Sequence, residues 1–240
     1  MTKDFLIKGY LRTSLIEWPG KICSVVFLPF CNFRCPFCYN KDLVLNPEKL
    51  ETIPVDFVFQ DLKERKKFID GVAITGGEPT LSKGLKGFTK RLKKEGFGVM
   101  IETNGTRPEV IKELIREKLV DFWSMDIKAP LNLADYSRVV GITCSEGMMG
   151  KVRESIKLIK KTKDYEFKAT VVPELLSKED IIEIAKFLGP AKGFYLQQFQ
   201  PKSCLDPKLE KKKPYGKEKL QEILREVKKF IPSATMRGEL

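Results

Sequence analysis

The stretch Ile22-Cys-Ser-Val-Val-Phe-Leu-Pro-Phe30, followed at once by Cys31-Asn-Phe-Arg-Cys35-Pro-Phe-Cys38, decides how the chain is read. Its first half is a continuous apolar, β-branched run of the kind found in a strand buried on both faces. Its second half places three thiols within eight residues of loop. Comparable runs recur at 71–75, 98–103, 121–128, 166–172 and 193–199, which gives six expected strands. Between them the apolar spacing changes to a helical period. Val110, Ile111, Leu114, Ile115 and Leu119 form one stripe, and Ile181, Ile182, Ala185 and Leu188 another. Pro54 and Pro108 sit where first helical turns begin, and Ser177 precedes Asp180 by three residues in a capping-box pattern. A last stripe runs through Leu220, Ile223, Leu224, Val227 and Phe230.

Six alternations of strand and helix predict right-handed crossovers between parallel strands, in an open sheet or a barrel. The position of the polar residues selects between them. Cys31 follows the first strand, Gly76, Gly77 and Glu78 the second, and Asn104 the third; Asp126 and Lys128 belong to the fourth, and Gln200 follows the sixth. Polar groups at the C-terminal ends of many strands suggest a barrel-like mouth, whereas an open sheet concentrates its site at one switch point. The expectation is one domain over 1–240: an N-terminal extension at 1–21, a βα core at 22–200, and a connector with a C-terminal helix at 201–240.

Composition narrows the chemistry. The 240 residues contain no histidine, which excludes a Ser-His-Asp triad, a histidine zinc ligand and an imidazole acid or base. No run of about 18 apolar residues is present, and residues 1–10 lack the apolar stretch and cleavage site of a signal peptide. A cytoplasmic protein is expected, with no membrane partner. The net charge of +12 invites a nucleic-acid reading. Its distribution opposes that reading, because lysines alternate with glutamates as on solvated helices, for example at Lys112, Glu113, Arg116, Glu117 and Lys118. The densest basic stretch, 208–219, reads as a solvated connector.

Thiolates select zinc or iron-sulfur clusters, and a closed zinc site takes four ligands. With no histidine, Cys31, Cys35 and Cys38 fit better as three ligands of a 4Fe-4S cluster with one iron open. Cys23, Cys144 and Cys204 are isolated and read as core or incidental thiols.

The C-x3-C-x-aromatic-C spacing, with Phe37 as the aromatic, resembles the signature of the radical S-adenosylmethionine (SAM) superfamily. The resemblance implies a partial (β/α)6 barrel of the radical SAM type. It implies that SAM chelates the open iron, that the cluster donates one electron, and that the 5′-deoxyadenosyl radical then takes hydrogen from a substrate. No catalytic side chain beyond the cluster and SAM is implied. Ile74-Thr-Gly-Gly-Glu-Pro79 resembles the family's GGE turn and implies Gly76, Gly77 and Glu78 as cofactor contacts. By the same likeness Thr103 and Asn104 of Glu102-Thr-Asn-Gly105 face the ribose, although Asn-Gly is also a plain turn former. Asp126, Ile127 and Lys128 match the Asp-x-Lys of glycyl-radical activating enzymes, Val172 neighbours the adenine, and Lys168 stands where an arginine is expected. Gln200 replaces the histidine of pyruvate formate-lyase activating enzymes.

Ser14-Leu-Ile-Glu-Trp-Pro-Gly-Lys21, Phe27-Leu-Pro, Met125-Asp-Ile-Lys-Ala-Pro130 and Leu196-Gln-Gln-Phe199 together resemble anaerobic ribonucleoside-triphosphate reductase activating proteins. Tyr39 departs from the His-Asn usual there. This likeness implies an oxidoreductase that abstracts hydrogen from a glycine of anaerobic ribonucleotide reductase, with flavodoxin or ferredoxin as electron donor. The other readings are an activating enzyme of the pyruvate formate-lyase type, a small-molecule enzyme of the 7-carboxy-7-deazaguanine synthase type, and a non-enzymatic iron-sulfur or zinc module.

Overall fold

The structure, a computed structural model, describes residues 5–238. Of the N-terminal stretch read for a leader, residues 1–4 lie outside it. Along the chain come β1 (Gly9–Ser14), β2 (Cys23–Leu28), α1 (Lys41–Leu45), α2 (Val55–Glu64), β3 (Gly71–Gly76), α3 (Leu85–Lys94), β4 (Gly98–Thr103) and α4 (Pro108–Arg116). They are followed by β5 (Phe122–Asp126), α5 (Leu133–Val140), α6 (Glu146–Ile159), β6 (Tyr165–Val171), α7 (Lys178–Leu188), β7 (Phe194–Gln198), α8 (Lys217–Lys228) and β8 (Thr235–Arg237). The strands follow one another through one sheet in chain order, with β1 and β8 as its free edges. The sheet is therefore an unclosed α/β arrangement, as a partial barrel requires.

All six strands expected from the apolar runs form, within a residue or two at most ends. Two were not expected. Residues 9–14, read as part of an extension, are the antiparallel edge strand β1 on β2, and residues 235–237 add β8 in parallel to β7.

Two compact units divide the chain. In the first (1–32, 42–103 and 107–123), β2 and β3 run parallel in register from Cys23 opposite Gly71 to Leu28 opposite Gly76, and β3 continues onto β4. Trp18, from the Ser14–Lys21 motif, is buried with Cys23, Val25, Ala73 and Met100. Trp18 therefore builds core here, whereas Leu15 and Ile16 of the same motif are exposed. Helix α4 starts at Pro108, whose missing N–H costs nothing in a first turn, and buries Ile111 and Leu114. A polar network covers part of α2: the buried Asp61 carboxylate accepts from Tyr10 Oη at 2.6 Å and from Arg65 Nε at 3.0 Å, and pairs with Arg12 at 2.6 Å.

In the second unit (33–41, 104–106 and 124–240), β6 is buried along its whole length and pairs with β7 from Phe167 opposite Phe194. The expected capping box at α7 is present, with Ser177 and Asp180 each bonding the other's backbone. Helix α5 is capped by the Asn132 side chain and ends on Gly141 at φ 69°. Among the described residues no helix is long and apolar enough to cross a membrane.

Candidate functional site

In the first unit, the loop after β2 begins with Phe30, whose N–H donates to the Leu43 carbonyl at 2.9 Å and whose carbonyl accepts from Glu78 N–H at 2.8 Å. The turn after β3 is pressed against this point. Gly76 has φ 116°, and a Cβ on Gly77 would lie 1.9 Å from the Phe30 oxygen and 3.2 Å from the Cys31 nitrogen. Only glycine allows that approach. Glu78 is buried, and its carboxylate accepts from Thr80 N–H at 3.0 Å, from the Thr80 hydroxyl, and from Thr103 Oγ1 at 2.8 Å. Glu78 and Thr103, both expected as cofactor contacts, thus tie the ends of β3 and β4 to each other through their side chains.

In the second unit, the rest of the cysteine loop is a turn in which Cys38 N–H donates to the Cys35 carbonyl at 3.0 Å. Cys35 is buried, and Cys38 is intermediate in exposure. Burial pushes the Cys38 thiol above its ordinary range. Coordination would have to drive that proton off. Lys128 Nζ lies 5.8 Å from the centre of the Phe37 ring and 3.3 Å from Asp126 Oδ1, and Lys168 Nζ is 3.9 Å from Asp126 Oδ2. Burial alone would raise the Asp126 carboxyl, but the two ammonium groups hold it below its usual range. Asp126 and Lys128 are therefore an ion pair, as their shared side of the strand predicts.

The remaining expected contacts are of two kinds. Asn104 is buried and its side-chain oxygen accepts from Thr106 N–H at 3.1 Å and Oγ1 at 2.7 Å, so it closes an Asx turn. Ile127 is buried and its N–H donates to the Lys168 carbonyl at 2.8 Å; Val172 is buried too. Gln200 is exposed, and its backbone N–H donates to Tyr39 Oη at 2.6 Å.

Sequence reasoning missed a further group in this unit. Glu166 accepts from both Arg237 nitrogens at 2.8 Å and from Ser124 Oγ at 2.8 Å, while the Arg237 guanidinium stacks 4.0 Å from the Tyr195 ring centre. Glu166 and Lys168 alternate on one side of a fully buried strand, a placement that two charges rarely take without a reason.

Cys31 belongs to the first unit, and Cys35 and Cys38 to the second. Among the described residues no three His, Cys, Asp or Glu side chains are arranged to hold a metal ion as they stand. The donors nevertheless suit an iron-sulfur cluster: three thiols in one short loop, none of them in a disulfide, with a glycine turn closed onto the first. Cys23, Cys144 and Cys204 are buried, as core thiols are.

Comparison with known proteins agrees with this chemistry. The radical SAM superfamily matches residues 25–188. A protein of Methanocaldococcus jannaschii bearing the name glycyl-radical enzyme activating enzyme is 37% identical over 238 residues, covering 97% of this chain and 95% of its own. The 7-carboxy-7-deazaguanine synthase of Aquifex aeolicus is 29% identical over 196 residues, covering 80% of this chain and 74% of its own. Among solved structures, Streptococcus suis SuiB bound to the precursor peptide SuiA superposes with a TM-score of 0.68 at 17% identity, over 89% of this chain. This chain spans about half of SuiB, 48% of its length, and the likeness concerns the fold. The non-enzymatic reading falls with these matches. The chain is an enzyme of the radical SAM superfamily, in its glycyl-radical activating group, and it works with a 4Fe-4S cluster and SAM.

Proposed function

We propose that this chain activates an anaerobic ribonucleoside-triphosphate reductase by removing hydrogen from one backbone glycine. Cys31, Cys35 and Cys38 would hold the cluster, and its open iron would take SAM. The cluster and SAM supply the one-electron cleavage and the hydrogen abstraction. The protein's residues bind and orient. Gly76 and Gly77 let the turn after β3 close on Phe30 and Cys31, where its backbone would meet the cofactor's polar end, and the Asp126–Lys128 pair at the end of β5 would offer an acceptor and a donor. Phe37 flanks Lys128, and Thr103, Asn104, Ile127, Val172 and Gln200 would line the nucleoside end. Glu78 contributes its backbone, since its carboxylate is engaged by Thr80 and Thr103.

The observation that carries the activating role is likeness along nearly the whole chain, 37% over 97%, to a protein of the activating group. The reductase as target rests on the motifs at 14–21, 125–130 and 196–199. An acidic flavodoxin or ferredoxin of the cytoplasm suits the net charge of +12. The match to 7-carboxy-7-deazaguanine synthase favours a second reading, a small-molecule substrate. Anaerobic reconstitution with iron and sulfide, reduction, and addition of SAM should yield 5′-deoxyadenosine. A glycyl-radical doublet in the EPR spectrum should then arise only when the reductase is added. SAM cleavage that turns over a small molecule and never marks a protein would overturn the activating role.

A further inference from the structure

Strand β6 carries two charged side chains, Glu166 and Lys168, two residues apart and therefore on one face of the sheet; both are buried, at 1% and 7% exposure. The strand register extends that face to the neighbouring strands. Lys168 stands opposite Tyr195 on β7, and Tyr195 opposite Thr235 on β8, so Arg237, two residues further on, lies on the same side. Strand β5 meets this face as well: Ser124 Oγ donates to Glu166 Oε1 at 2.8 Å, and Lys168 Nζ lies 3.9 Å from Asp126 Oδ2. The face thus carries two rungs, Arg237–Glu166–Ser124 and Lys168–Asp126. Only the second includes a residue expected at the cofactor.

A different pairing is open to the same charges. Residues two apart on a strand are separated by about 6.6 Å, within the span of a lysine side chain, so Glu166 as well as Asp126 is in reach of Lys168. A buried carboxylate without a counter-charge is strongly destabilising, and Glu166 must therefore hold a cation. Arg237 is that cation. Its two terminal nitrogens donate to the two Glu166 oxygens at 2.8 Å each, and its guanidinium lies 4.0 Å from the centre of the Tyr195 ring. A lysine has no such planar fork, so Arg237 is the better occupant and Lys168 turns to Asp126.

We propose that Arg237 is a positioning residue for the SAM site: by satisfying Glu166 it leaves Lys168 to Asp126. The Asp126 carboxylate is then held from two sides, by Lys128 at 3.3 Å and Lys168 at 3.9 Å, in the orientation in which it would meet the cofactor. The inference rests on Asp126 and Lys128 as cofactor contacts and is independent of which substrate the enzyme takes. It gives the three-residue strand β8 a part in a site to which it supplies none of the expected contacts.

Three proteins test it: wild type, Arg237→Gln, and Arg237→Gln combined with Glu166→Gln. Glutamine keeps one donor for residue 166 and removes the charge. Two measurements are made, the crystal structure of each metal-free chain and equilibrium binding of SAM to each cluster-loaded one. In Arg237→Gln, Lys168 Nζ should turn from Asp126 to Glu166, and SAM should bind about tenfold more weakly, the loss of one charged hydrogen bond. The double variant removes the carboxylate that competes for Lys168. Lys168 should return to Asp126 and SAM affinity to the wild-type value, although the Glu166–Arg237 ion pair is gone; a merely structural pair gives no such rescue. Lys168 still beside Asp126 in Arg237→Gln, or a loss of affinity that the double variant shares, would show that Arg237 only fastens β8 and would overturn the proposal. An Arg237→Gln chain that does not fold would overturn it too, since Lys168 then fails to replace the lost cation. Lys168 displaced with SAM affinity unchanged would instead remove Asp126 from the cofactor site, and the proposal with it.

Discussion

The Tyr39 hydroxyl accepts the backbone N–H of Gln200 at 2.6 Å, tying the end of the cysteine loop to the segment that leaves β7. Burial pushes the Tyr39 phenol upward and the Gln200 amide only partly offsets this, so the group stays neutral through the physiological range. The ring that stands where histidine is usual is therefore a fastener, with no proton to exchange near neutral pH.

Replacing Tyr39 by Phe should accordingly leave the cluster intact and weaken SAM binding, by the loss of one hydrogen bond of about 1 kcal/mol, or roughly fivefold. The pH dependence of SAM cleavage between pH 6 and 9 should be the same in both proteins. Equilibrium binding of SAM and a pH series of 5′-deoxyadenosine formation check this; a titration step present in wild type and absent from Tyr39→Phe would contradict it.

Ligand assignment separates the six cysteines cleanly. Cys35→Ala should lose iron, sulfide and all SAM cleavage, because two thiolates in this loop cannot hold the cluster. Cys144→Ala, outside the loop, should keep all three. Iron and sulfide analysis after reconstitution gives the answer, and the reverse pattern would invalidate the ligand set.

Gly77 tests the closeness of the turn to the loop. With a methyl group 1.9 Å from the Phe30 oxygen, Gly77→Ala must displace backbone on one side or the other. Overpacking of this kind costs about 1–3 kcal/mol. Thermal melting should show that loss, and SAM cleavage should fall more than stability does, since the displaced atoms flank Cys31.

How far these features could be read beforehand follows from where their causes lie. The six strands were legible because a strand buried on both faces must be apolar along its length, as in Val25-Val26-Phe27-Leu28. The cap on α7 was legible because Ser177 and Asp180 are three residues apart. β1 was not, since Tyr10, Arg12 and Ser14 alternate with Leu11 and Thr13 as any polar connector does, and only pairing with β2 makes a strand of them. β8 has three residues and no pattern of its own. The Glu166–Arg237 pair joins residues 71 positions apart, and its signal was merely two charges in a buried strand. Glu78, Thr103 and Asn104 were located at strand ends, but only the folded chain shows their side chains engaged with other protein groups.

The Asp61 network yields a prediction on stability and pH that is independent of the cofactors. Burial would raise the Asp61 carboxyl, yet hydrogen bonds from Arg65 and Tyr10 and the adjacent guanidiniums hold it below the ordinary value. A carboxyl depressed in the folded state contributes stability above its unfolded pKa of about 4, and loses it as pH falls through the lower folded value. Wild type should therefore lose stability on acidification below about pH 4 in part through this residue. Asp61→Asn should be less stable at pH 7, by about 2 kcal/mol, because the half-buried Arg65 guanidinium loses its charged hydrogen-bond partner. The variant's deficit should shrink as pH falls, since acid removes the same charge from wild type. Denaturant melts of both proteins between pH 3 and 7 measure the difference, and a deficit that stays constant across that range would mean that the charge on Asp61 contributes nothing.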